Sequence, residues 1–286
     1  MGSIGPQRAR SLLFLFLLAV PARCEQAQPS NSPPASLFSQ SAAEILRRDF
    51  AKGETSYLLL DAKTGVVLAN RWDNPEKAVP MGSLVKPFTA LAYAQAHDFR
   101  YPIYECRGKL NGCWQPRPHG KLDITAAVSV SCNAYFRHLA EGVTLEQLRP
   151  VVLAFGLEFP DGESTSATLF GLGDQWRISP MHLAEAYLEL NRRKNQPGVA
   201  RILAGMRQSA QRGTGAAVDR QLKRAKALVK TGTAPCTHSP WAPADGLVIA
   251  LVPEDQPEIL LFVRIHGVAG AKAAETAGQM LREMEE

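Results

Sequence analysis

The sequence predicts an α+β fold, an antiparallel sheet flanked by helices with an all-helical subdomain beside it. Two observations carry this. Strand patterns fall near both ends of the folded part, at 57–69 and 227–265, while the middle, 122–193, is mostly helical by periodicity. Strands at both ends let the two ends of the chain share one sheet. The length of 286 residues and the 45% hydrophobic content allow a sizeable core, and no internal repeat is apparent.

Arg8 and Arg10 precede an apolar run over 12–20, and small residues follow around Ala22 and Cys24. This is the layout of a secretory signal, expected over 1–24, and the run is short for a bilayer span. An uncleaved N-terminal anchor is the alternative. Arg23 stands where lipidation of Cys24 would want a small residue, so lipidation ranks low. Residues 25–40, with Gln26, Gln28, Pro29, Pro33 and Pro34, are too polar to fold alone and read as a linker. The folded domain is expected over 41–286.

Net charge falls from +5 to +2 when Arg8, Arg10 and Arg23 leave with the signal. No basic cluster is interleaved with aromatics, so nucleic acid is not an expected partner. The short group Lys223, Arg224 and Lys226 reads as a solvated helix face.

Ala42, Ala43, Ile45 and Leu46 suggest a first helix that ends by Gly53. Strands at 57–61 and 66–69 flank Lys63, Thr64 and Gly65, the turn of a hairpin. Over 83–96, Leu84, Val85, Phe88, Leu91 and Ala92 suit a buried helix with Pro87 in its first turn. Helices are expected at 124–140, 145–155 and 181–191. Strands follow at 227–233, 245–252 and 259–265, with turn residues between Pro253 and Pro257, and a helix over 271–284 closes the chain. No transmembrane segment is expected after the N-terminal run.

Three short motifs carry chemistry. Ser83 and Lys86 are three apart, which on a helix puts both on one face and brings the amine to the serine oxygen. Serine is a poor nucleophile unless a base stands beside it. Burial near Leu84, Val85 and Phe88, with the field of Lys230, would lower the Lys86 pKa and expose a neutral amine. Ser131 and Asn133 offer a hydroxyl to relay a proton and an amide to hold a substrate carbonyl. On the strand at 227–233, Lys230 supplies a charge for a substrate carboxylate and Thr231 a further donor. Gly232 lets an extended peptide approach, and the Thr233 N–H is a natural oxyanion donor beside that of Ser83. The serine–lysine pair alone says little, since composition supplies such pairs by chance. Its order with the other two motifs makes it specific. Catalytic roles are therefore expected for Ser83, Lys86 and Ser131, and substrate-binding roles for Asn133, Lys230, Thr231, Gly232 and Thr233.

No cofactor or metal is expected. Of the five cysteines, Cys106 and Cys113 lie close enough in sequence to pair in an exported protein, with free thiols as the alternative. A metal reading would recruit His119, but three ligands without a recognisable fourth make a weak site. Cys24 leaves with the signal, Cys132 reads as a small packed residue, and Cys236 as a free thiol beside the third motif. His138 reads as a helix residue, and Trp241 divides between groove lining and packing.

The three motifs together resemble the transpeptidase domain of class B penicillin-binding proteins, within the penicillin-binding protein and serine β-lactamase superfamily. The likeness runs over about 57–266. Met81 to Phe88 resembles the nucleophile segment and Ser129 to Phe136 the second-motif helix. Cys106, Gly108, Cys113, Trp114, His119 and Gly120 resemble a loop of elongation-type members. Gly171 to Gly173, Ile178 to Pro180, and Ala186 with Tyr187 match the approach to the long helix. Gly213 to Gly215 match the stretch before the third motif.

The resemblance implies a β-lactamase/transpeptidase-like fold and a D-Ala-D-Ala stem peptide of peptidoglycan as substrate. It further implies acylation of Ser83 by peptide or β-lactam with Lys86 as base, periplasmic or extracytoplasmic location, and membrane or cell-wall protein partners. Two departures stand out. Only a short stretch separates the expected signal from Ser83, where class B members carry a long non-catalytic module. The spacing between motifs is also short for a cell-wall synthase, which leaves room for a compact hydrolase. A class D-like serine β-lactamase is the second reading. It needs a deacylation base, for which Glu158, Glu163 and a carbamylated Lys86 are candidates. The third is a sensor module that binds peptidoglycan or β-lactams without turnover.

Overall fold

The computed structural model describes residues 1–2, 37–50, 55–161, 164–237 and 241–285. The expected signal and all of the expected linker before Leu37 lie outside the described residues, apart from Met1 and Gly2, as does Glu163. The first helix, α1 (Leu37–Asp49), begins inside the expected linker. Strands β1 (Thr55–Asp61) and β2 (Val67–Asn70) follow as the expected hairpin. Its turn is closed by Asp61, whose carboxylate accepts from the backbone N–H of Lys63 and Thr64, while Gly65 takes a φ of +77°.

The short strand β3 (Val79–Pro80) leads into a 3-10 turn, Gly82–Val85, and then α2 (Lys86–Ala96). The helical part contains β4 (Tyr104–Cys106), β5 (Gly120–Leu122), α3 (Ile124–Ser129), α4 (Asn133–Glu141) and α5 (Leu145–Ala154). It continues with α6 (Ser166–Leu169), β6 (Arg177–Ile178), α7 (Pro180–Arg192), α8 (Val199–Arg212) and α9 (Ala216–Gln221). The chain closes with β7 (Leu228–Ala234), β8 (Asp245–Val252), β9 (Ile259–His266) and α10 (Gly270–Glu285).

The main sheet has the order β2-β1-β9-β8-β7, and every neighbouring pair is antiparallel. The two ends of the domain thus meet through the β1–β9 pair, as the strand pattern predicts. Two cores lie on its faces. One side is covered by α1, α9 and α10, where Ala273, Ala274, Ala277, Met280, Leu281 and Met284 form a buried helical stripe. Leucine and methionine side chains buried in this way contribute about 1.5–3 kcal/mol each. The other side carries the larger core, built on Leu84, Phe88, Phe136, Leu148, Phe170 and Tyr187.

Three expectations change. The helix expected over 124–140 is two helices, because Ser131 adopts a φ of +50° and cannot continue a right-handed helix. Helices α8 and α9 were not foreseen, although Val199, Ile202, Leu203, Met206 and Ala210 follow a helical period. Lys223 and Arg224 lie in the turn before β7 rather than on a helix, with their backbone N–H groups held by the Glu285 carboxylate.

Candidate active site

Strand β7 is the edge of the main sheet, paired only with β8, in the register Lys230 to Ile249 and Gly232 to Leu247. Alternation along the strand sends Leu228, Lys230 and Ala234 toward the larger core, and Val229 toward the opposite one. Lys230 therefore enters the helical side. Gly232 shares that face, and a Cβ there would sit 2.9 Å from Leu84 Cγ and from the Met81 carbonyl oxygen. Strand β7 and the turn that carries Ser83 thus touch through backbone.

The same contact constrains Gly82. Its φ is +54°, and an added Cβ would collide with the carbonyl oxygen of Thr233. Behind the turn, Tyr187 Oη of α7 donates to the Leu84 carbonyl at 2.8 Å, and the Tyr187 ring packs edge-on against Phe88. Ser83 is held half-buried between these supports.

Lys86 opens α2 with its side chain fully buried beside the Phe136 ring. Its amine donates to Asn133 Oδ1 at 2.6 Å, to the Ser131 carbonyl at 2.9 Å and to Ser131 Oγ at 3.4 Å. Lys230, also fully buried, donates to the same Ser131 hydroxyl at 2.9 Å and to the Thr231 carbonyl at 2.7 Å. Burial pulls the Lys86 pKa from 10.5 to about 7. Burial first, and the Lys86 charge second, pull Lys230 well below its usual value. Two ammonium groups on one buried hydroxyl disfavour double protonation, so a neutral amine is accessible at neutral pH.

A cleft of about 390 Å³ opens over this network. Ser83, Ser131, Asn133, Thr231, Gly232 and Thr233 line it together. Lys86 and Lys230 lie beneath. Ser83 Oγ is not among the hydrogen-bond partners of the Lys86 amine.

The family description "Penicillin binding protein transpeptidase domain" matches residues 55–284. The chain belongs to the penicillin-binding protein transpeptidase family. Solved structures agree on the fold. Pseudomonas aeruginosa PBP2, in complex with WCK 5153, superposes with a TM-score of 0.71 at 19% identity, over 88% of this chain and 74% of that one. The D,D-transpeptidase domain of a peptidoglycan glycosyltransferase from Eggerthella lenta gives 0.67 at 15% identity, over 86% and 80%. PBP2 of Helicobacter pylori, in complex with MreC, gives 0.69 at 16% identity, over 87% and 62%. No curated protein matches the chain.

The transpeptidase domain departs from the sequence reading around its cysteines. Cys106 and Cys113 are free thiols rather than a disulfide. With His119 and Cys132 they form a cluster whose ligand atoms all lie within 4.8 Å of one another. Cys113 Sγ is 3.7 Å from Cys132 Sγ, and His119 Nδ1 is 3.4 Å from Cys106 Sγ. Burial, and then the Lys86 charge, hold the His119 pKa below its usual value, so the imidazole is neutral at pH 7. Three thiols and one imidazole are the donor set of a closed tetrahedral zinc site. Sequence reasoning missed Cys132 as the fourth member because its partners lie well before it in sequence; only the fold joins them.

Further residues of the transpeptidase cleft were not foreseen as lining: Trp114, Leu172, Thr214, Ala269 and Ala271. Thr214 and Thr231 join by their hydroxyls at 2.6 Å. Glu158 is not at the cleft; its carboxylate accepts from the Ser179 N–H and pairs with His182. Cys236 and Trp241 are also absent from the lining, and Cys236 Sγ instead lies 3.8 Å from His266 Nδ1. His138 stacks on Tyr104 at 4.9 Å, as a helix residue would. Among the described residues, no helix is long and apolar enough to cross a membrane.

Proposed function

We propose that this transpeptidase domain is an exported active-site serine D,D-transpeptidase or peptidase that acts on D-Ala-D-Ala stem peptides of peptidoglycan, with Ser83 as the acylated nucleophile. The observation that carries the reading is the Ser131 hydroxyl, bridging two buried lysines beneath a cleft lined by Ser83.

Neutral Lys86 takes the Ser83 proton as Oγ attacks the carbonyl between the two D-alanines. The developing oxyanion accepts from the backbone N–H groups of Ser83 and Thr233. The Ser131 hydroxyl, fed by Lys86 and Lys230, passes a proton to the departing amine. Asn133 holds the peptide while its Oδ1 orients Lys86, and the peptide strand lies along Thr231 to Thr233. Water or an acceptor amine then releases the acyl group. Periplasmic or extracytoplasmic action, by a secreted or N-terminally tethered chain, belongs to this reading. So do β-lactam acylation and protein partners of the cell-wall machinery, given that the H. pylori relative was solved with MreC.

The β-lactamase reading is less well supported. No carboxylate lines the cleft among the described residues, and the Lys86 amine already meets three oxygens, which leaves little room for a carbamate. The test is release of D-alanine from an acylated peptide ending in D-Ala-D-Ala, compared between the native protein and Ser83→Ala. Release by the native protein alone is expected. Equal release by both would overturn the assignment of Ser83.

A further inference from the structure

The cleft over Ser83 has no charged side chain in its lining among the described residues. Lys230, expected to meet a substrate carboxylate, is fully buried and spends its donors on Ser131 and Thr231. A peptide that ends in a free carboxylate therefore lacks a cation inside the cleft itself.

The cleft does not end at Thr231. It runs into a second groove of about 460 Å³, and Trp114, Thr214 and Ala271 line both. Trp114 is fixed at this junction by its indole N–H, which donates to the Val130 carbonyl at 3.3 Å. Three cations line the groove: Arg212, Arg220 and Lys272. Its one carboxylate, Glu275, is paired with Lys272. Arg212 and Arg220 are exposed, and neither has a carboxylate partner among the described residues. Arg212 ends α8 two residues before Thr214, whose hydroxyl is tied to Thr231. Two forked guanidinium groups thus line the groove that shares Thr214 with the cleft.

We propose that Arg212 and Arg220 recognise a carboxylate of the bound substrate on the leaving-group side of Ser83, the role expected of Lys230. This rests on the serine acyl-transfer reading above. Penicillin, whose carboxylate lies on that side, tests it against its own methyl ester. Acylation of the full chain is followed by intact mass over a range of drug concentrations, which separates the half-saturation constant from the limiting rate.

The native protein should prefer the acid. In R212Q/R220Q the half-saturation constant for the acid should rise roughly ten-fold, the loss of one charged hydrogen bond. The ester should change little, the limiting rate should hold, and R212K/R220K should recover part of the preference. Both arginines also sit at helix C-termini, where a cation steadies the helix dipole. If that is their whole role, the glutamine variant loses melting temperature while its acid-to-ester preference stays native, and the proposal is overturned. Absence of any adduct on the native protein would sink the acyl-transfer reading itself, and this proposal with it.

Discussion

The two walls of the cleft are held in different ways. The β7 wall is regular: a seven-residue strand locked by a continuous register to β8, with Lys230 and Gly232 placed by simple alternation. The opposite wall is irregular. Ser131 sits in a left-handed turn between two short helices, and its neighbour Cys132 is tied to a loop by a cluster of thiols and an imidazole. A ladder fixes many residues through repeated backbone bonds, so no single side chain decides the strand. A turn at positive φ depends on its few local contacts, here the Ser131 N–H to the Val128 carbonyl and the Cys132 N–H to the Ala127 carbonyl.

The largest expected effect separates the two buried lysines. Lys86→Ala removes the proposed base and should slow acylation roughly 10²–10⁴-fold. Lys230→Ala removes only a donor to Ser131 and should cost less. Stopped-flow labelling with a fluorescent penicillin measures both, and equal losses would erase the distinction between base and support.

Metal removal should break the irregular wall alone. The purified protein is expected to carry about one zinc per chain, and a strong chelator should lower its melting temperature and change the fluorescence of Trp114, which follows Cys113 directly. Trp114→Phe should abolish the fluorescence change. Metal-free protein with native melting and native labelling would show that the thiols hold the turn unaided.

That cluster also marks the limit of what the sequence makes legible. The sheet strands, the hairpin at Gly65, the closing helix and the three motifs follow from periodicity and residue chemistry, since each depends on neighbours in sequence. The break at Ser131, the fourth cysteine and the burial of Lys230 do not. The fourth cysteine and the burial of Lys230 arise from contacts between segments apart in the chain, and the break at Ser131 from one left-handed residue that a helical period does not register. Helices α8 and α9 are weakly signalled for another reason: Gly205 sits inside α8, and Gly213 and Gly215 stand between the two helices, so the helical pattern is broken. Close packing accounts for two of these glycines. A Cβ at Gly205 would press on Val128, and one at Gly215 on Val229.

The buried lysine also sets a pH dependence. With the Lys86 pKa near 7, the neutral amine is scarce below that pH and dominant above it. Acylation should therefore rise as pH passes through about 7 and level off above. A profile flat from pH 5 to pH 9, roughly two units either side, would remove Lys86 as the titrating base. The smallest effect concerns the contact between β7 and the turn that carries Ser83. Gly82→Ala forces a Cβ into a left-handed turn and should cost about 1–3 kcal/mol of stability, read by denaturant unfolding.

Acylation of Ser83 is the step on which the proposed chemistry turns. Its most direct test is the intact mass of the native protein and of Ser83→Ala after exposure to a fluorescent penicillin, followed over time. A long-lived adduct of one drug per chain, located on Ser83 and missing from the variant, is the predicted result. An adduct of equal yield on the variant, or none on the native protein, would contradict it.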